Sequence, residues 1–268
     1  MKSTDREIRN SAVVAHDNLE EFRDPANYDR EEAPLSGPRI AFYCDLAVDV
    51  GGPVLELGCG TGLVAIPIAK RGLDVTGVDL AWPMLDFARM KARQERVSVK
   101  WIQADARRPA LGKEFQLIYM TGNAFQAFLY RRDQESLLRS VRHCLTEKGK
   151  FAFEIRNPSG HDLATYREEE DWFAYRNVEG RSVRVSGIQH FDAVGQIMHW
   201  TTFRRWNDDQ GPQTRETHIA CRFFYPQELA ALLRCNGFKI VQQYGNWKKE
   251  PLAESSSTII SVCARADD

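Results

Sequence analysis

The chain has 268 residues, with 36 Lys and Arg against 37 Asp and Glu, a formal net charge of −1 at pH 7, and 43% apolar residues. This balance argues against a protein that coats nucleic-acid phosphates, which needs a basic surface. No apolar run approaches the roughly 20 residues of a membrane helix, and the polar first ten residues do not resemble a secretory signal. We therefore expect a cytoplasmic chain that contacts neither nucleic acid nor membrane.

The six cysteines have neither zinc-site spacing nor the density of a disulfide framework. They are Cys44, Cys59, Cys144, Cys221, Cys235 and Cys263. We expect reduced thiols packed as small apolar side chains, as is usual in the cytoplasm. The sequence also predicts no metal site.

Residues 1–34 are polar with scattered apolar positions, and we expect a short helix and a surface loop that ends at Pro34. From Ser36 onward apolar residues recur at helical spacing behind a Ser-Gly-Pro start, and Gly51-Gly52 ends this predicted helix. Short apolar strands then alternate with amphipathic helices. The predicted strands cover 54–57, 74–78, 98–102, 115–120 and 150–155, and the predicted helices cover 63–71, 83–93 and 133–144. This alternation predicts a parallel sheet with helices on both faces.

After Asn157 the alternation stops, and four stretches rich in aromatic and β-branched residues follow without a helix between them. They cover 172–178, 181–191, 196–206 and 214–224, with turn residues between them. This pattern predicts an antiparallel meander. A helix at 226–235, ended by Asn236-Gly237, and strands at 238–244 and 258–264 then resume the α/β alternation.

The most informative segment is ELGCGTG (56–62), at the junction of the first strand and the next helix. Three glycines at alternate positions let the backbone turn tightly and let a ligand lie close to it. A nicotinamide-dinucleotide site needs its third glycine three positions after the second. That position is Leu63 here, so the segment does not fit a dinucleotide-binding dehydrogenase.

This segment closely resembles the first motif of the Rossmann-like S-adenosylmethionine-dependent methyltransferases. Three further features match the family in order: Asp79 at the end of the second strand, the segment DLAWPMLDFA (79–88), and QADA (103–106) after the third strand. The family usually has serine where Ala81 stands. The resemblance covers residues 40–157 by motif and 225–265 by topology.

The resemblance implies an α/β fold with a Rossmann-like, seven-stranded, mostly parallel sheet of order 3-2-1-4-5-7-6. An antiparallel β insert would lie between strand 5 and the following helix. The expected organisation is an N-terminal lid segment (1–34), a cofactor-binding domain (35–160 and 225–268) and an insert over the acceptor site (161–224). In some resembling enzymes such an insert mediates dimer contacts, so a homodimer through it is a further expectation.

The implied cofactor is S-adenosylmethionine, with S-adenosylhomocysteine as product. Amides of a glycine loop can hold the carboxylate of its methionine end, and aromatic faces stabilise its cationic sulfonium. In the family, Asp79 binds the ribose hydroxyls and Asp105 the adenine amino group. The full set of expected cofactor-binding residues is Tyr28, Arg39, Tyr43, Glu56, Gly58, Cys59, Gly60, Asp79, Leu80, Met84, Ala104, Asp105, Ala106, Met120 and Thr121.

Two residues are expected to be catalytic. Tyr28 matches a tyrosine that closes over the cofactor and the reacting nitrogen in sugar-amine and glycine N-methyltransferases. Asn123 follows the fourth strand, where the family faces the methyl group. Expected substrate-binding residues are Phe125, Arg156, Asn157, Trp172, Tyr175 and Trp200. Arg204, Arg205 and Arg222 are expected on solvated strand faces.

The implied function is transfer of a methyl group to a nitrogen of a small-molecule metabolite. The [N/D]PP[Y/F] signature of adenine and glutamine-amide methyltransferases does not follow the fourth strand. Three alternatives stay open: a small-molecule O-methyltransferase, a cofactor-binding protein without catalysis, and a protein methyltransferase with an open groove.

Overall fold

The computed structural model describes residues 18–111, 114–158 and 163–266, apart from the side chains of residues 33–35. These residues form a seven-stranded sheet that is covered by helices, and a separate four-stranded sheet. None of the helices described is both long and apolar enough to cross a membrane.

The seven-stranded sheet has the predicted topology. Its strands are β1 (Val54–Leu57), β2 (Val75–Asp79), β3 (Lys100–Gln103), β4 (Phe115–Met120), β5 (Leu145–Arg156), β10 (Phe238–Tyr244) and β11 (Thr258–Arg265). They are ordered β10-β11-β5-β4-β1-β2-β3. Strands β1 to β5 pair in parallel, and β11 is antiparallel to both β5 and β10. This confirms the order 3-2-1-4-5-7-6, with β10 and β11 as the last two strands.

Helices cover both faces of this sheet, because its central strands are apolar on both sides. The helices are α1 (Pro25–Val50), α2 (Ala65–Lys70), α3 (Trp82–Gln94), α4 (Arg131–Cys144) and α5 (Pro226–Cys235). Leu117 and Tyr119 of β4 pack in the core beneath α1 and α2. Ile118 and Met120 point the other way, into the core beneath α4 and α5.

Helix α1 begins eleven residues before the predicted start at Ser36. Asp24 caps it, accepting the backbone N–H of Asn27 at 3.3 Å, and Pro25 occupies the first helical position. The start prediction is therefore wrong: an Asp-Pro start precedes the Ser-Gly-Pro segment, and the helix continues through Pro34. The expected boundary between lid and domain at residues 34 and 35 falls inside this helix, and residues 1–17 of the expected lid lie outside the described residues.

The four-stranded sheet is the predicted insert between β5 and α5. It contains β6 (Tyr166–Arg176), β7 (Ser182–Asp192), β8 (Ile197–Asp208) and β9 (Gly211–Arg222), paired antiparallel in chain order. Strand β6 begins six residues before the prediction, because its first part is the charged run 167–171, which lacks the apolar alternation of a half-buried strand.

The N-terminal segment, defined here as residues 18–31, lies against the insert. The side-chain amide of Asn18 donates to the Ala220 carbonyl at 3.0 Å and accepts the Ala220 N–H at 2.7 Å. The backbone N–H of His218 donates to the Glu20 carboxylate at 2.9 Å. Since this segment continues into α1, it connects the insert with the cofactor-binding domain.

Candidate active site

The glycine loop follows β1 with three left-handed residues. Gly58, Gly60 and Gly62 have φ of +70°, +52° and +74°, which side chains rarely tolerate. A Cβ atom at Gly60 would lie 3.4 Å from Cε of Met84, a buried residue of α3. The three glycines therefore form the tight turn that their spacing predicted.

Asp79, at the end of β2, ties the loop to the start of α3. Its carboxylate accepts the backbone N–H of Gly60 at 2.7 Å and that of Ala81 at 2.8 Å. Burial raises the pKa of this carboxyl, and the amide hydrogen bonds oppose that rise. The next residue, Leu80, is half exposed and so presents an apolar side chain to solvent.

The segment after β3 lies beside β2, since the Ala104 N–H donates to the Asp79 carbonyl at 3.1 Å. Asp105 is engaged within this segment by Arg107, whose Nε and Nη2 lie 2.9 and 2.6 Å from its Oδ2. These hydrogen bonds lower the pKa of Asp105. Ala106, between the two, is half buried. The structure thus brings Ala104, Asp105 and Asp79 together at one end of the sheet.

Glu56 of β1 supports the site from beneath. Its side chain is buried and accepts hydrogen bonds from the Tyr119 hydroxyl at 3.0 Å and the Thr121 hydroxyl at 3.1 Å. Burial raises the pKa of Glu56 to about 8. Its carboxyl group holds Thr121 at the end of β4, and the role of Glu56 as a cofactor-binding residue stays a prediction. Cys59, in the glycine loop, is also buried.

Tyr43 lies in the core, fully buried. Its hydroxyl donates to Glu154 Oε2 at 2.5 Å and lies 3.2 Å from the carbonyl oxygen of Met120, whose own side chain is buried. These contacts place Tyr43 beneath the end of β4, and the roles of Tyr43 and Met120 as cofactor-binding residues stay predictions. The other oxygen of Glu154 accepts the backbone N–H of Gly122 at 2.6 Å.

The turn after β4 contains two consecutive left-handed residues, Gly122 at φ +65° and Asn123 at φ +60°. The Tyr28 hydroxyl lies 3.9 Å from the position that a Cβ of Gly122 would occupy. A Cβ at Gly58 would lie 3.2 Å from Ala124, so the same turn also packs against the glycine loop. The structure therefore brings together both residues that were expected to be catalytic.

Asp29, next to Tyr28, fixes the first turns of α1 across the glycine loop. Its carboxylate accepts hydrogen bonds from the Thr61 hydroxyl and from the Lys91 ammonium of α3. The ring of Phe22 packs edge-on against Tyr28, with centroids 5.8 Å apart. Burial raises the pKa of Tyr28 above its ordinary value, so its phenol stays protonated at neutral pH.

Arg39 of α1 bonds Glu32 at 3.0 Å through Nη2, while its buried Nε has no hydrogen-bond partner among the described residues. Burial lowers its pKa, but the nearby carboxylates of Glu154 and Glu32 more than compensate, and the net shift is upward. A buried guanidinium with an unused donor suits an anionic ligand group.

Two expected substrate-binding residues are brought together, since the Arg156 guanidinium lies over the Trp200 ring at 5.3 Å. The indole N–H of Trp200 donates to Gln189 at 3.2 Å. Asn157 is held by the loop before β11, with its side-chain amide donating to the Ser256 carbonyl at 2.7 Å.

The other expected substrate-binding residues are spread over the fold. Phe125 is fully buried and its ring stacks on that of Phe153, with centroids 4.5 Å apart, and its contact with the substrate stays a prediction. Trp172 packs over Gly187 on the insert. Burial raises the pKa of Tyr175, another insert residue, to about 12.

Sequence reasoning missed two buried charged residues. Glu154, at the end of β5, had no expected role, although a charge at the carboxyl end of a buried strand is a usable signal. Arg204 was expected on a solvated face, but it is only 8% exposed and pairs with Glu21 and Glu31. Its partners lie more than 170 positions away in the chain, so no local pattern reveals them.

The chain is similar to known methyltransferases. A methyltransferase-domain family profile matches residues 54–149. Cypemycin N-terminal methyltransferase from Streptomyces sp is 30% identical over 216 residues, which cover 80% of this chain and 84% of that protein. Ubiquinone biosynthesis O-methyltransferase from Pectobacterium carotovorum subsp. carotovorum (strain PC1) is 42% identical over 178 residues, covering 66% and 68%.

The fold is also that of a solved methyltransferase. The sugar N-methyltransferase KedS8 from Streptoalloteichus sp ATCC 53650 superposes with a TM-score of 0.71 at 16% identity, covering 96% of this chain and 98% of that chain. Both sequence relatives are methyltransferases by name. This chain therefore belongs to the S-adenosylmethionine-dependent methyltransferases.

Proposed function

We propose that this enzyme transfers a methyl group from S-adenosylmethionine to a nitrogen of a small-molecule metabolite. The observation that carries the proposal is the position of the Tyr28 hydroxyl next to the turn at Gly122 and Asn123. This turn is at the carboxyl end of β4, and ligands of open α/β sheets bind at such ends.

The residues present fit the cofactor. The left-handed backbone of the glycine loop leaves a space that a Cβ at Gly60 would fill, and the unused Nε of Arg39 suits a carboxylate. Leu80 offers an apolar surface beside Asp79 for a flat base. Together these residues would hold the methionine end, the ribose and the adenine of S-adenosylmethionine.

S-Adenosylmethionine supplies an electrophilic methyl group on a positively charged sulfur. The protein must then aim the acceptor in line with that methyl group and exclude water. The ring of Tyr28 can stabilise positive charge through its face. Because its phenol stays protonated, Tyr28 does not act as a base. Its hydroxyl oxygen can accept an N–H of the attacking amine, which leaves the nitrogen lone pair free for the methyl group.

A nitrogen acceptor agrees with this arrangement, because an uncharged amine attacks without a general base, whereas a phenol or hydroxyl usually needs one. Two of the similar proteins support nitrogen by their names, an N-terminal methyltransferase and a sugar N-methyltransferase. Arg156, stacked on Trp200, would favour an acceptor that also carries an acidic or carbonyl group.

The second candidate is methyl transfer to oxygen. It is favoured by the 42% identity to a ubiquinone biosynthesis O-methyltransferase. A panel experiment separates the two: the enzyme is incubated with S-adenosylmethionine and either amines (amino sugars, amino acids, small peptides) or catechols, and S-adenosylhomocysteine is quantified. We expect release with an amine. Release with catechols alone would overturn the nitrogen assignment, and release with peptides alone would overturn the small-molecule assignment.

Two more predictions belong to this proposal, a cytoplasmic location and a homodimer. All six cysteines are free thiols, which is consistent with the reducing environment of the cytoplasm. The homodimer through the insert stays a prediction that sedimentation can test.

A further inference from the structure

Arg204 of β8 is a buried cation that connects the insert with the N-terminal segment. Its Nε and Nη2 donate to the two oxygens of Glu31 at 2.9 Å each, and Nη2 also donates to Glu21 at 2.6 Å. Its Nη1 donates to the Thr217 hydroxyl at 2.9 Å, and that hydroxyl donates to Glu21 at 2.6 Å. Each of the three guanidinium nitrogens therefore has a partner in one closed network.

The two carboxylates of this network flank Tyr28 in the chain. Glu31 is three residues after Tyr28 on α1, which is one helical turn away. Glu21 adjoins Phe22, whose ring packs edge-on against Tyr28. Arg204 thus holds the chain on both sides of the tyrosine that stands beside Gly122.

Other contacts between the insert and this segment are more exposed. Arg215 bonds Asp24 at 3.1 Å, with side chains 26% and 36% exposed, against 10% for the Arg204 side chain. Exposed ion pairs contribute little to stability, whereas loss of one partner from a buried ion pair leaves the other charge buried and unpaired. Among the described ion pairs between the segment and the insert, those of Arg204 are the least exposed, so their loss should weaken the attachment more than loss of any other pair.

We propose that Arg204 is a positioning residue for methyl transfer: through Glu21 and Glu31 it fixes Tyr28 over the active site. The inference rests on the proposed function for its catalytic consequence, but the attachment itself can be measured without turnover. If Arg204 had only a structural role, its replacement would lower stability throughout the insert. The effect of Tyr28→Ala on kcat would then be the same with and without Arg204.

The first test is hydrogen exchange of the full-length protein. Arg204→Met removes the guanidinium and leaves Glu21 and Glu31 close together without a cation, and Arg204→Lys keeps the charge but not the two-pronged geometry. Arg205→Met is the matched control. Arg205 is the next residue of β8, lies on the opposite face of the strand, and pairs with the exposed Glu169.

We expect amides of residues 26–32 to exchange at least about tenfold faster in Arg204→Met, with a smaller rise in Arg204→Lys. Amides of β4 and β5 should keep their protection, which shows that the protein is folded. If exchange in residues 26–32 of Arg204→Met were the same as in Arg205→Met, the proposal would be overturned, and a uniform rise over the whole chain would also overturn it.

The second test is a double-mutant cycle on kcat with the acceptor found in the panel. Arg204→Met should lower kcat at least about fivefold in the wild-type background and less than about twofold in the Tyr28→Ala background, because coupled residues are not additive. Equal effects in both backgrounds would overturn action through Tyr28. Absence of turnover in the wild type would instead overturn the proposed function, and the exchange result would still decide the attachment.

Discussion

Glu154 and Gly122 are joined across neighbouring strand ends: the buried carboxylate on β5 accepts the Gly122 backbone N–H at 2.6 Å. Gly122 and Asn123 are both left-handed, a conformation that costs Asn free energy unless its surroundings fix it. This turn contacts both the glycine loop and the region of the Tyr28 hydroxyl. By fixing the turn, Glu154 therefore positions the backbone between these two parts of the site.

Glu154→Leu should lower kcat at least about tenfold, because a hydrogen bond to a charged acceptor contributes roughly 1.5–3 kcal/mol. Glu154→Gln keeps an oxygen acceptor, so this variant should lower kcat only a few-fold. Steady-state kinetics on the two variants, with melting temperatures as a control for folding, measure this. Equal kcat in wild type and Glu154→Leu would show that the turn does not depend on the carboxylate.

Asp79→Ala should weaken S-adenosylhomocysteine binding at least about tenfold. The variant removes the acceptor that fixes the Gly60 N–H and also the acid that the family uses for the ribose hydroxyls, each worth roughly 1.5–3 kcal/mol. Asp79→Asn keeps one side-chain oxygen, so its affinity for S-adenosylhomocysteine should lie between those of the wild type and Asp79→Ala. Titration calorimetry measures the affinities, and unchanged binding in the alanine variant would contradict the role of Asp79.

Glu56 should make folding stability depend on pH. Its pKa is raised to about 8 in the folded protein from 4.5, so the folded state binds the extra proton between these values. The contribution of Glu56 to the free energy of unfolding is therefore fully present below about pH 4.5. It falls as the pH rises towards 8, by at most about 1.4 kcal/mol per pH unit.

Urea unfolding of wild type and Glu56→Gln at pH 5.5 and 7.5 tests this. The wild type should lose more stability over this interval than the variant, which has no proton to release at position 56. If both proteins show the same change, Glu56 is already ionised in the folded protein.

The parts of the fold with local signals were predictable. Strands β1, β4 and β10 and helix α5 have the predicted bounds, because short apolar runs and a Pro start with an Asn-Gly end are local features. The tight turn of the glycine loop at 58–62 was likewise expected from the spacing of its glycines, and their positive φ values agree with it.

What depends on distant partners was not predictable. Arg204 has the same residue type and strand setting as its neighbour Arg205, and only the fold shows that one is buried against Glu31 while the other pairs at the surface. Phe125 was expected in the pocket because it follows β4, but whether it faces the cleft or Phe153 depends on the turn geometry. Single sequences carry no record of such contacts.

The central claim, that Tyr28 acts at the methyl-transfer step, is tested most directly by kcat of wild type, Tyr28→Phe and Tyr28→Ala, with S-adenosylhomocysteine affinity measured alongside. Phe keeps the ring and its interaction with positive charge, so it should lower kcat modestly, whereas Ala should lower it strongly. Affinity should change less than kcat, because contacts made in the transition state lower kcat without a matching loss of binding. Wild-type turnover in Tyr28→Ala would contradict the account and leave Tyr28 as a packing residue of the N-terminal segment.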